Sequence, residues 1–198
     1  MTAGQEKSLR VLGEMESDIA RLNRVATRFS KIGSLPELKM EDLNDIVQFT
    51  VKYFQARLPH LGKRVRIEEK LGEIPEIRLS AELIGWVVEN LIRNAVDSIE
   101  VSAGLIIIST RYHEDEEAVH ITIQDNGKGI SREHVKHIFN PGFTTKKRGW
   151  GLGLSLCRRI IKDYHDGKIY VEKSQKDVGT VFAMVLPLAP ERTLRKKP

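Results

Sequence analysis

The stretch "QDNGKGISREHVKHIFNPGFTTKKRGWGLGLSL", residues 124–156, carries six glycines, an acidic residue at the end of an apolar segment, and a basic loop between two apolar runs. Few packed cores contain so many glycines, because glycine has no side chain to bury and loses the most backbone freedom on folding. Such a composition is typical of backbone that turns tightly and approaches a bound molecule closely. The stretch therefore predicts a ligand site rather than a core.

The composition limits the classes of protein that this chain can be. It has 198 residues, 40% of them hydrophobic, which is enough for one domain with a helical appendage. The net charge of +5 comes from scattered basic residues, so we interpret it as a solvated surface and predict no nucleic-acid partner. The only cysteine, Cys157, cannot form an internal disulfide, which fits a reducing compartment. No apolar run approaches the roughly 20 residues of a membrane span. We expect a cytoplasmic location without membrane contact by this chain, whether or not a longer parent protein is anchored in a membrane.

The first 36 residues predict a helical arm. Two apolar series repeat at intervals of seven residues, namely Leu12, Ile19 and Ala26, and Met15, Leu22 and Phe29. So narrow a seam is typical of a helix that pairs with another helix in a hairpin or dimer; a helix packed on its own domain is the alternative. Gly33 and Pro36 end this helix. Residues 37–190 then form the main domain, and residues 191–198 are a basic tail.

Downstream of the arm, the pattern alternates between helices and strands. The predicted elements are, in order, a helix over 38–58, a strand from 63, a long helix over 79–100, strands over 105–114 and 117–125, a short helix over 131–139, a helix over 153–165, and strands over 167–174 and 179–187. Ser80 and Ser131 are predicted N-caps, and the last two strands form a hairpin-like pair. This order predicts an α+β fold, a two-layer α/β sandwich in which helices cover one face of a mixed sheet.

Asp125 ends a predicted strand and is followed closely by Gly127 and Gly129. One interpretation is an ordinary turn, where Asp and Gly are common. The other is a carboxylate that accepts a hydrogen bond from a ligand amine, such as the exocyclic amine of adenine, and that repels the carbonyl oxygen of guanine. This stretch alone favours neither interpretation.

The long predicted helix carries a polar row in the segment "ENLIRNAVDS". Asn90, Asn94 and Asp97 are three or four residues apart and therefore share one face. Asparagine is a mediocre helix former, so the row is either a solvated stripe or a set of oxygen ligands for a hard cation. Mg²⁺ takes one or two protein ligands and completes its shell with substrate phosphates. Glu89 lies about 100° around the helix from Asn90, where it is either a base at the rim of a site or an ion-pair partner of Arg93.

The loop "NPGFTTKKRGWGLGL", residues 140–154, has little apolar content to hold it in place. We expect it to be mobile until a ligand orders it. Its polar donors are Thr144, Thr145 and Lys146, and its later glycines are Gly149, Gly151 and Gly153. These glycines lead into a helix, whose first N–H groups attract anions. The loop is neither a Walker A loop nor the glycine-rich loop of protein kinases, nor is it the dinucleotide fingerprint.

In combination and in this order, these segments resemble the catalytic, ATP-binding domain of sensor histidine kinases of two-component systems, in the superfamily shared with gyrase, Hsp90 and MutL. "ENLIRNA" is similar to the N box and "DNGKGI" to the first glycine box. "FNPGFTTKKRGWGLGL" is similar to the phenylalanine box, lid and second glycine box, and "GTVFAMVLP" to the closing strand. The resemblance covers residues 65–188 or so and implies the Bergerat-type ATP fold.

The resemblance also implies the ligands and the roles of particular residues. It implies ATP and Mg²⁺ as cofactors, with Asn90 and Asn94 as metal ligands and Glu89 as the catalytic base. It implies that Asp125 binds the adenine amine, with Thr180 beside it. The other implied nucleotide contacts are Asp97, Gly127, Gly129, Ile130, Phe139, Thr144, Thr145, Lys146, Gly149, Gly151, Leu152, Gly153 and Leu154. Phosphoryl transfer needs mainly charge neutralisation and in-line positioning, which a metal, a lysine and a closing lid would supply.

The predicted arm resembles the second helix of the dimerisation and phosphoacceptor hairpin of these kinases. The first helix, with its phosphoacceptor histidine, would lie before residue 5, and no histidine of this chain is in a matching context. We therefore expect the ATP-binding part of a homodimeric histidine kinase, which transfers the γ-phosphate of ATP to a histidine of the missing helix for relay to a response regulator. We expect this chain to be unable to autophosphorylate as it stands. The alternative is a non-catalytic, ATP-gated interaction module, either degenerate or truncated.

Overall fold

The structure is a computed structural model that describes residues 36–59, 64–100, 103–146 and 149–188. The predicted helical arm, apart from Pro36, and the predicted basic tail lie outside these ranges and stay predictions. Within the described ranges, no helix combines the length and the apolar character that crossing a bilayer requires.

The described part of the chain contains seven strands and four α-helices. The strands are β1 Lys39–Glu41, β2 Val65–Leu71, β3 Ile77–Leu79, β4 Gly104–His113, β5 Ala118–Asp125, β6 Lys168–Gln175 and β7 Gly179–Pro187. The α-helices are α1 Leu43–Gln55, α2 Ala81–Ser98, α3 Arg132–Val135 and α4 Gly153–Arg159. A 3₁₀ turn covers Glu114–Glu116, and a π-helical turn over Ile160–Tyr164 continues α4.

The main sheet contains five strands in the order β2-β4-β5-β7-β6. β2 runs parallel to β4, and the other neighbouring strands are antiparallel. The sheet is therefore mixed, as predicted, and β6 and β7 form the predicted pair. β1 and β3 form a separate antiparallel pair.

One face of the sheet is buried under the helices. Alternate residues of the inner strands β4 and β5 are fully buried, among them Ile106, Ile108, Ile121 and Ile123, while the residues between them are mostly partly exposed. This alternation arises because successive strand side chains point to opposite faces. The apolar face of α2 joins the same core. Each such isoleucine stabilises the fold by about 1.5–3 kcal/mol relative to an exposed one, and the predicted two-layer sandwich is confirmed.

For the helix predicted over residues 38–58, the predicted beginning was wrong. Residues 39–41 form β1, which pairs with β3, a strand that the sequence analysis missed. The helix begins after Asp42, which has extended backbone and whose side chain accepts a hydrogen bond from the N–H of Asn44 at 2.7 Å. Three-residue strands are too short to show a period of two.

The long helix α2 begins where the sequence predicts. Ser80 has extended backbone (φ −94°, ψ 107°), and its side chain caps the helix by accepting from the N–H of Leu83. The helix then runs for 18 residues, or about 27 Å at 1.5 Å per residue. Because its apolar residues face the core, Asn90 and Asn94 lie together on a half-buried flank.

His165 is a buried polar residue that the sequence analysis missed. Only 1% of it is exposed. Its Nε2 accepts from the backbone N–H of Ser80 at 3.0 Å, and its Nδ1 lies 2.9 Å from the carbonyl oxygen of Ile160. This pattern requires a neutral ring with its proton on Nδ1. Burial lowers the pKa of His165 below its ordinary value of 6.5, against the opposing effects of Ile160 and Asp166. The ring thus ties the beginning of α2 to the end of the π-helical turn.

We predict that His165 makes the stability of the domain depend on pH. Because the pKa of His165 is lowered in the folded state, its contribution is fully present above about 6.5 and falls as the pH drops from there towards the folded-state pKa. His165→Gln should remove this part of the slope and cost about 1–3 kcal/mol at neutral pH, since it leaves a buried backbone group unpaired. Urea unfolding at several pH values measures both effects. His137→Gln, at an exposed position, is the control, and an unchanged slope in His165→Gln would contradict the assignment.

Candidate functional site

The candidate site lies where the C-terminal half of α2 meets the end of β5 and the beginning of β7. Asp125 is the last residue of β5, and the antiparallel register places it opposite Thr180 of β7. Ser98, the last residue of α2, donates a hydrogen bond to Asp125. These contacts bring the predicted acidic residue and the polar row of α2 into one site.

Asp125 is a buried carboxyl group in a fixed position, with only 5% of its surface exposed. Its Oδ1 accepts hydrogen bonds from the Ser98 hydroxyl at 3.0 Å and from the Gly127 N–H at 2.8 Å. Burial raises the pKa of Asp125 above its ordinary value of 3.8, although hydrogen bonds from Gly127, Ser98 and the Thr180 backbone act in the opposite direction. A buried acceptor held this rigidly is suited to recognising a specific donor.

The two glycines after Asp125 let the turn pack closely against the rest of the protein. A Cβ atom at Gly127 would overlap the Ser98 hydroxyl and lie 2.7 Å from the Ser98 carbonyl oxygen. Gly129 has a positive φ of 69°, and a Cβ atom there would overlap the Gln175 carbonyl of β6. The tight turn predicted from the sequence is therefore present, and the close approach that needs glycine is to α2 and β6.

A small polar cluster lies beside Asp125 and was not predicted in full. Thr180 is buried, and its hydroxyl lies 3.0 Å from the Ser174 hydroxyl of β6. Ser174 also accepts from the N–H of Ile130 at 2.7 Å. Ile130 and Thr180 were predicted site residues, whereas Ser98 and Ser174 were missed. Ser98 follows Asn94 by four residues, so the helical spacing of the polar row contained the signal for it.

The predicted oxygen row of α2 is assembled and binds a cationic side chain. Asn94 donates through Nδ2 to the Asn90 Oδ1 at 3.0 Å. The Lys146 ammonium donates to the Asn94 Oδ1 at 2.9 Å and to the Asp97 Oδ2 at 2.7 Å. Amide and carboxylate oxygens are the ligands that Mg²⁺ takes in proteins. The donor set therefore fits a hard cation, and two of its members already hold a positive charge.

The base of the glycine-rich loop closes next to the same row. The N–H of Gly142 donates to the carbonyl oxygen of Gly151 at 3.0 Å, and Gly151 has a positive φ of 63°. A Cβ atom at Gly153 would lie 2.6 Å from the Asn90 Nδ2, so α4 begins in contact with α2, and a larger residue there would require the Asn90 side chain to move. Leu152 is the residue immediately before α4.

Other predicted site residues of this region lie on the surface or pack against neighbouring side chains of the domain. Thr144 and Thr145 are exposed, and the Thr144 hydroxyl accepts from the N–H of Lys146 at 3.1 Å. Gly149 lies against Thr144, since a Cβ atom there would be 2.7 Å from its hydroxyl. The aromatic ring of Phe139 packs edge-on against Phe182 with 6.4 Å between the ring centroids. Leu154 also packs against the core.

Glu89 forms the ion pair with Arg93 that the sequence analysis gave as one of two interpretations. The Glu89 Oε1 lies 2.5 Å from a guanidinium nitrogen of Arg93, and 24% of the glutamate side chain is exposed. The pair lies on α2 at the rim of the oxygen row. The role of Glu89 as a base stays a prediction.

A family described as the histidine kinase-, DNA gyrase B-, and HSP90-like ATPases matches residues 80–190. The chain belongs to this ATPase family. The matched range includes all of α2, the Asp125 turn, the glycine-rich loop and β7. Within this family, similarity to known proteins identifies it as the ATP-binding domain of a sensor histidine kinase.

Two kinds of relatives support this assignment. The signal transduction histidine-protein kinase AtoS of Escherichia coli K12 is 36% identical over 152 residues, which cover 75% of this chain and 24% of AtoS. The chain thus spans about a quarter of that relative. The catalytic domain of the histidine kinase ThkA superposes with a TM-score of 0.69 at 29% identity, covering 79% of this chain and 99% of that domain. A structure of ThkA in complex with the response regulator protein TrrA superposes with a TM-score of 0.73 at 25% identity, covering 92% of this chain and 52% of ThkA.

We predict that Asp125→Asn folds without a large loss of stability. We also predict that its free energy of unfolding, relative to that of the wild type, increases with pH. Because the pKa of Asp125 is raised in the folded state, its favourable contribution is present below about 3.8 and is lost as the pH rises through the folded-state pKa. Asparagine keeps an acceptor for Ser98 and Gly127 and carries no charge, so we expect a change within about 1 kcal/mol at pH 7.

Urea unfolding of the nucleotide-free protein at several pH values, from 3.8 upwards, measures this difference. Asp125→Ala is the contrasting variant, because it leaves two hydrogen-bond donors without their acceptor and should cost about 1–3 kcal/mol. If the wild type instead gained stability relative to Asp125→Asn as the pH rose, the folded state would favour the charged carboxylate over its protonated form.

Proposed function

We propose that this domain transfers the γ-phosphate of Mg-ATP to a histidine on the dimerisation helix of its parent kinase, for relay to a response regulator. The observation that carries the proposal is that α2 joins both halves of the site. Ser98 binds Asp125, while Asn94, about one turn earlier, and Asp97, the preceding residue, hold the ammonium of Lys146. One rigid helix would therefore fix the distance between the base-binding and the phosphate-binding groups.

Asp125 would select adenine. Its carboxylate is buried and positioned by Ser98 and Gly127, and it would accept a hydrogen bond from the exocyclic amine of adenine. Guanine has a carbonyl oxygen at that position, so its approach would leave two acceptors facing each other. Thr180 would contact the same edge of the base.

The oxygen row would hold the metal. Asn90 and Asn94 would be its protein ligands, and Asp97 would add negative charge nearby. When bound, Mg²⁺ neutralises charge on the phosphates, which is its main contribution to phosphoryl transfer. Lys146 would leave Asn94 and Asp97 for the phosphates, since an exposed ion pair of this kind is worth only about 0–1 kcal/mol. Thr144, Thr145 and the loop glycines would line the phosphates.

Glu89 would assist the attacking histidine. Its carboxylate is one residue before Asn90 on α2 and is oriented by Arg93. From there it would accept a hydrogen bond from the incoming imidazole and so favour the orientation and charge state needed for attack. The acceptor histidine and the dimer contact would come from the parent protein, the latter through the predicted arm. The ThkA structure with its response regulator supports the expectation that the parent protein has such a partner.

The experiment that tests the proposal measures nucleotide binding by calorimetry, with ATP and GTP, in the presence and absence of Mg²⁺. We predict that the wild type prefers ATP and that Asp125→Asn weakens ATP binding about 10- to 100-fold, the cost of one charged hydrogen bond. Asp115→Asn removes the same charge at an exposed position and should bind normally. Asn94→Ala should abolish the effect of Mg²⁺. Equal affinities for ATP and GTP, or an unchanged Mg²⁺ effect in Asn94→Ala, would refute the respective assignments.

We predict that Glu89→Gln binds ATP like the wild type but transfers phosphate at least about 100-fold more slowly, the usual contribution of a positioned base. The acceptor is the longer kinase that includes the phosphoacceptor helix, with its own Asn94→Ala change so that it cannot use ATP. Transfer of labelled γ-phosphate to that acceptor is measured. Glu82→Gln, exposed in the first turn of the same helix, is the control. Normal transfer by Glu89→Gln would exclude the base role, and ATP binding without any transfer by the wild type would favour the non-catalytic module.

A further inference from the structure

The far end of the β4–β5 hairpin brings together three side chains that the proposed function does not use. β4 ends at His113, the 3₁₀ turn contributes Glu116, and His120 lies near the beginning of β5. The turn closes at Glu117, which has left-handed backbone (φ 46°). In the antiparallel register, Arg111 is opposite His120 and His113 is opposite Ala118, so the two histidines are diagonal neighbours on one face of the sheet.

The three side chains are close enough to share one ion. One ligand atom from each of His113, Glu116 and His120 lies within 4.8 Å of the other two. The His120 Nε2 is 3.0 Å from the Glu116 Oε2, and the two imidazole rings have their centroids 4.1 Å apart with a tilt of 35°. Within the described part of the chain, these residues form the one group of three His, Cys, Asp or Glu side chains that meets this criterion.

The chemistry of this group favours a borderline metal such as Zn²⁺. Two imidazoles and one carboxylate are a common donor set for such metals, which lie 2.0–2.2 Å from each ligand atom. Ligand atoms on one tetrahedral metal are therefore about 3.3 Å apart, so only small side-chain rotations would bring all three donors into place. Both histidines are half-buried, which reduces the entropy lost when the rings are fixed.

The local charge also favours a cation. The turn between the two strands is the acidic run Glu114–Glu117. Arg111 is opposite His120 in the register, but its side chain is exposed and is screened by solvent. A simple His–Glu ion pair would account for the contact between Glu116 and His120. That ion pair does not involve His113, whose ring contacts His120 as a diagonal neighbour on the sheet, whereas a shared metal would use both rings.

We propose that His113, Glu116 and His120 form a binding site for a divalent transition metal, with Zn²⁺ as the best fit and one coordination position left for water or another ligand. The site is separate from the nucleotide site. His120 and Asp125 are five residues apart along β5, about 17 Å at 3.4 Å per residue, and an odd separation places them on opposite faces of the sheet. Its nitrogen donors also distinguish it from the oxygen row of α2.

The test is calorimetric titration of the untagged, nucleotide-free full chain with ZnCl₂, in excess Mg²⁺ so that oxygen-ligand sites are saturated. We expect one equivalent of Zn²⁺ to bind. We expect His113→Gln and His120→Gln each to weaken this binding about 100-fold, and Glu116→Gln to weaken it about 10-fold. Co²⁺ in place of Zn²⁺ should give visible absorption bands of a tetrahedral nitrogen- and oxygen-ligand site, and these bands should be lost in the same variants.

The chain offers a matched control. His134 and His137 are a second pair of neighbouring histidines, on and just after α3, where His137 is exposed and its Nδ1 is 3.4 Å from the Asn140 Nδ2. His137→Gln should leave Zn²⁺ binding unchanged. Urea unfolding in EDTA confirms that each variant is folded, and unchanged ATP binding shows that the nucleotide site is intact. The proposal is overturned if the wild type binds no Zn²⁺ under these conditions, or if the double variant His113→Gln, His120→Gln binds it with wild-type affinity.

Discussion

The site depends on the burial of one carboxyl group at the edge of the sheet. Asp125 is withdrawn from water at the end of β5, and burial without partners would be costly. The Ser98 hydroxyl, the Gly127 N–H and the Thr180 backbone all stabilise its charged form. These partners come from α2, from the following turn and from β7. The hydrogen bond from Ser98 to this buried acid therefore positions the end of α2 against the sheet. It also positions the row of oxygen atoms earlier in the same helix.

Much of the architecture can be predicted from local patterns in the sequence. The apolar run of β4 and the alternating apolar and polar residues of β5 both indicate strands, and one face is buried because the side-chain period of a strand is two. Ser80 and Ser131 cap helices at the predicted positions, since an extended serine with a free hydroxyl satisfies an N–H of the first turn. The spacing of Asn90, Asn94 and Asp97 places their side chains together for the same local reason. Each of these features requires only interactions within a few residues of chain.

The features that were missed depend on contacts between distant parts of the chain. His165 is explained by a hydrogen bond to Ser80, 85 residues earlier. Ser174 is explained by Ile130, which is 44 residues away. β1 and β3 pair across more than 30 residues and are only three residues long, so neither shows a period by itself. A lone serine or histidine has no pattern of its own, and its partner is defined only after the fold has brought the two together.

Charge, rather than apolar packing, determines the position of the loop at Lys146, because this side chain binds α2. Lys146 and Asp97 are each a little under half exposed, so their ion pair is worth about 0–1 kcal/mol. Phe143 packs partly on the core, but Thr144, Thr145 and Lys146 are exposed. A weakly held cation at the oxygen row is displaced by any ion that binds those oxygens better, and a polyphosphate offers the released ammonium a stronger partner than one carboxylate does. Under the proposed function, metal binding to α2 and the movement of Lys146 to the phosphates would therefore be one coupled event, because the Asn94 side-chain oxygen takes part in both.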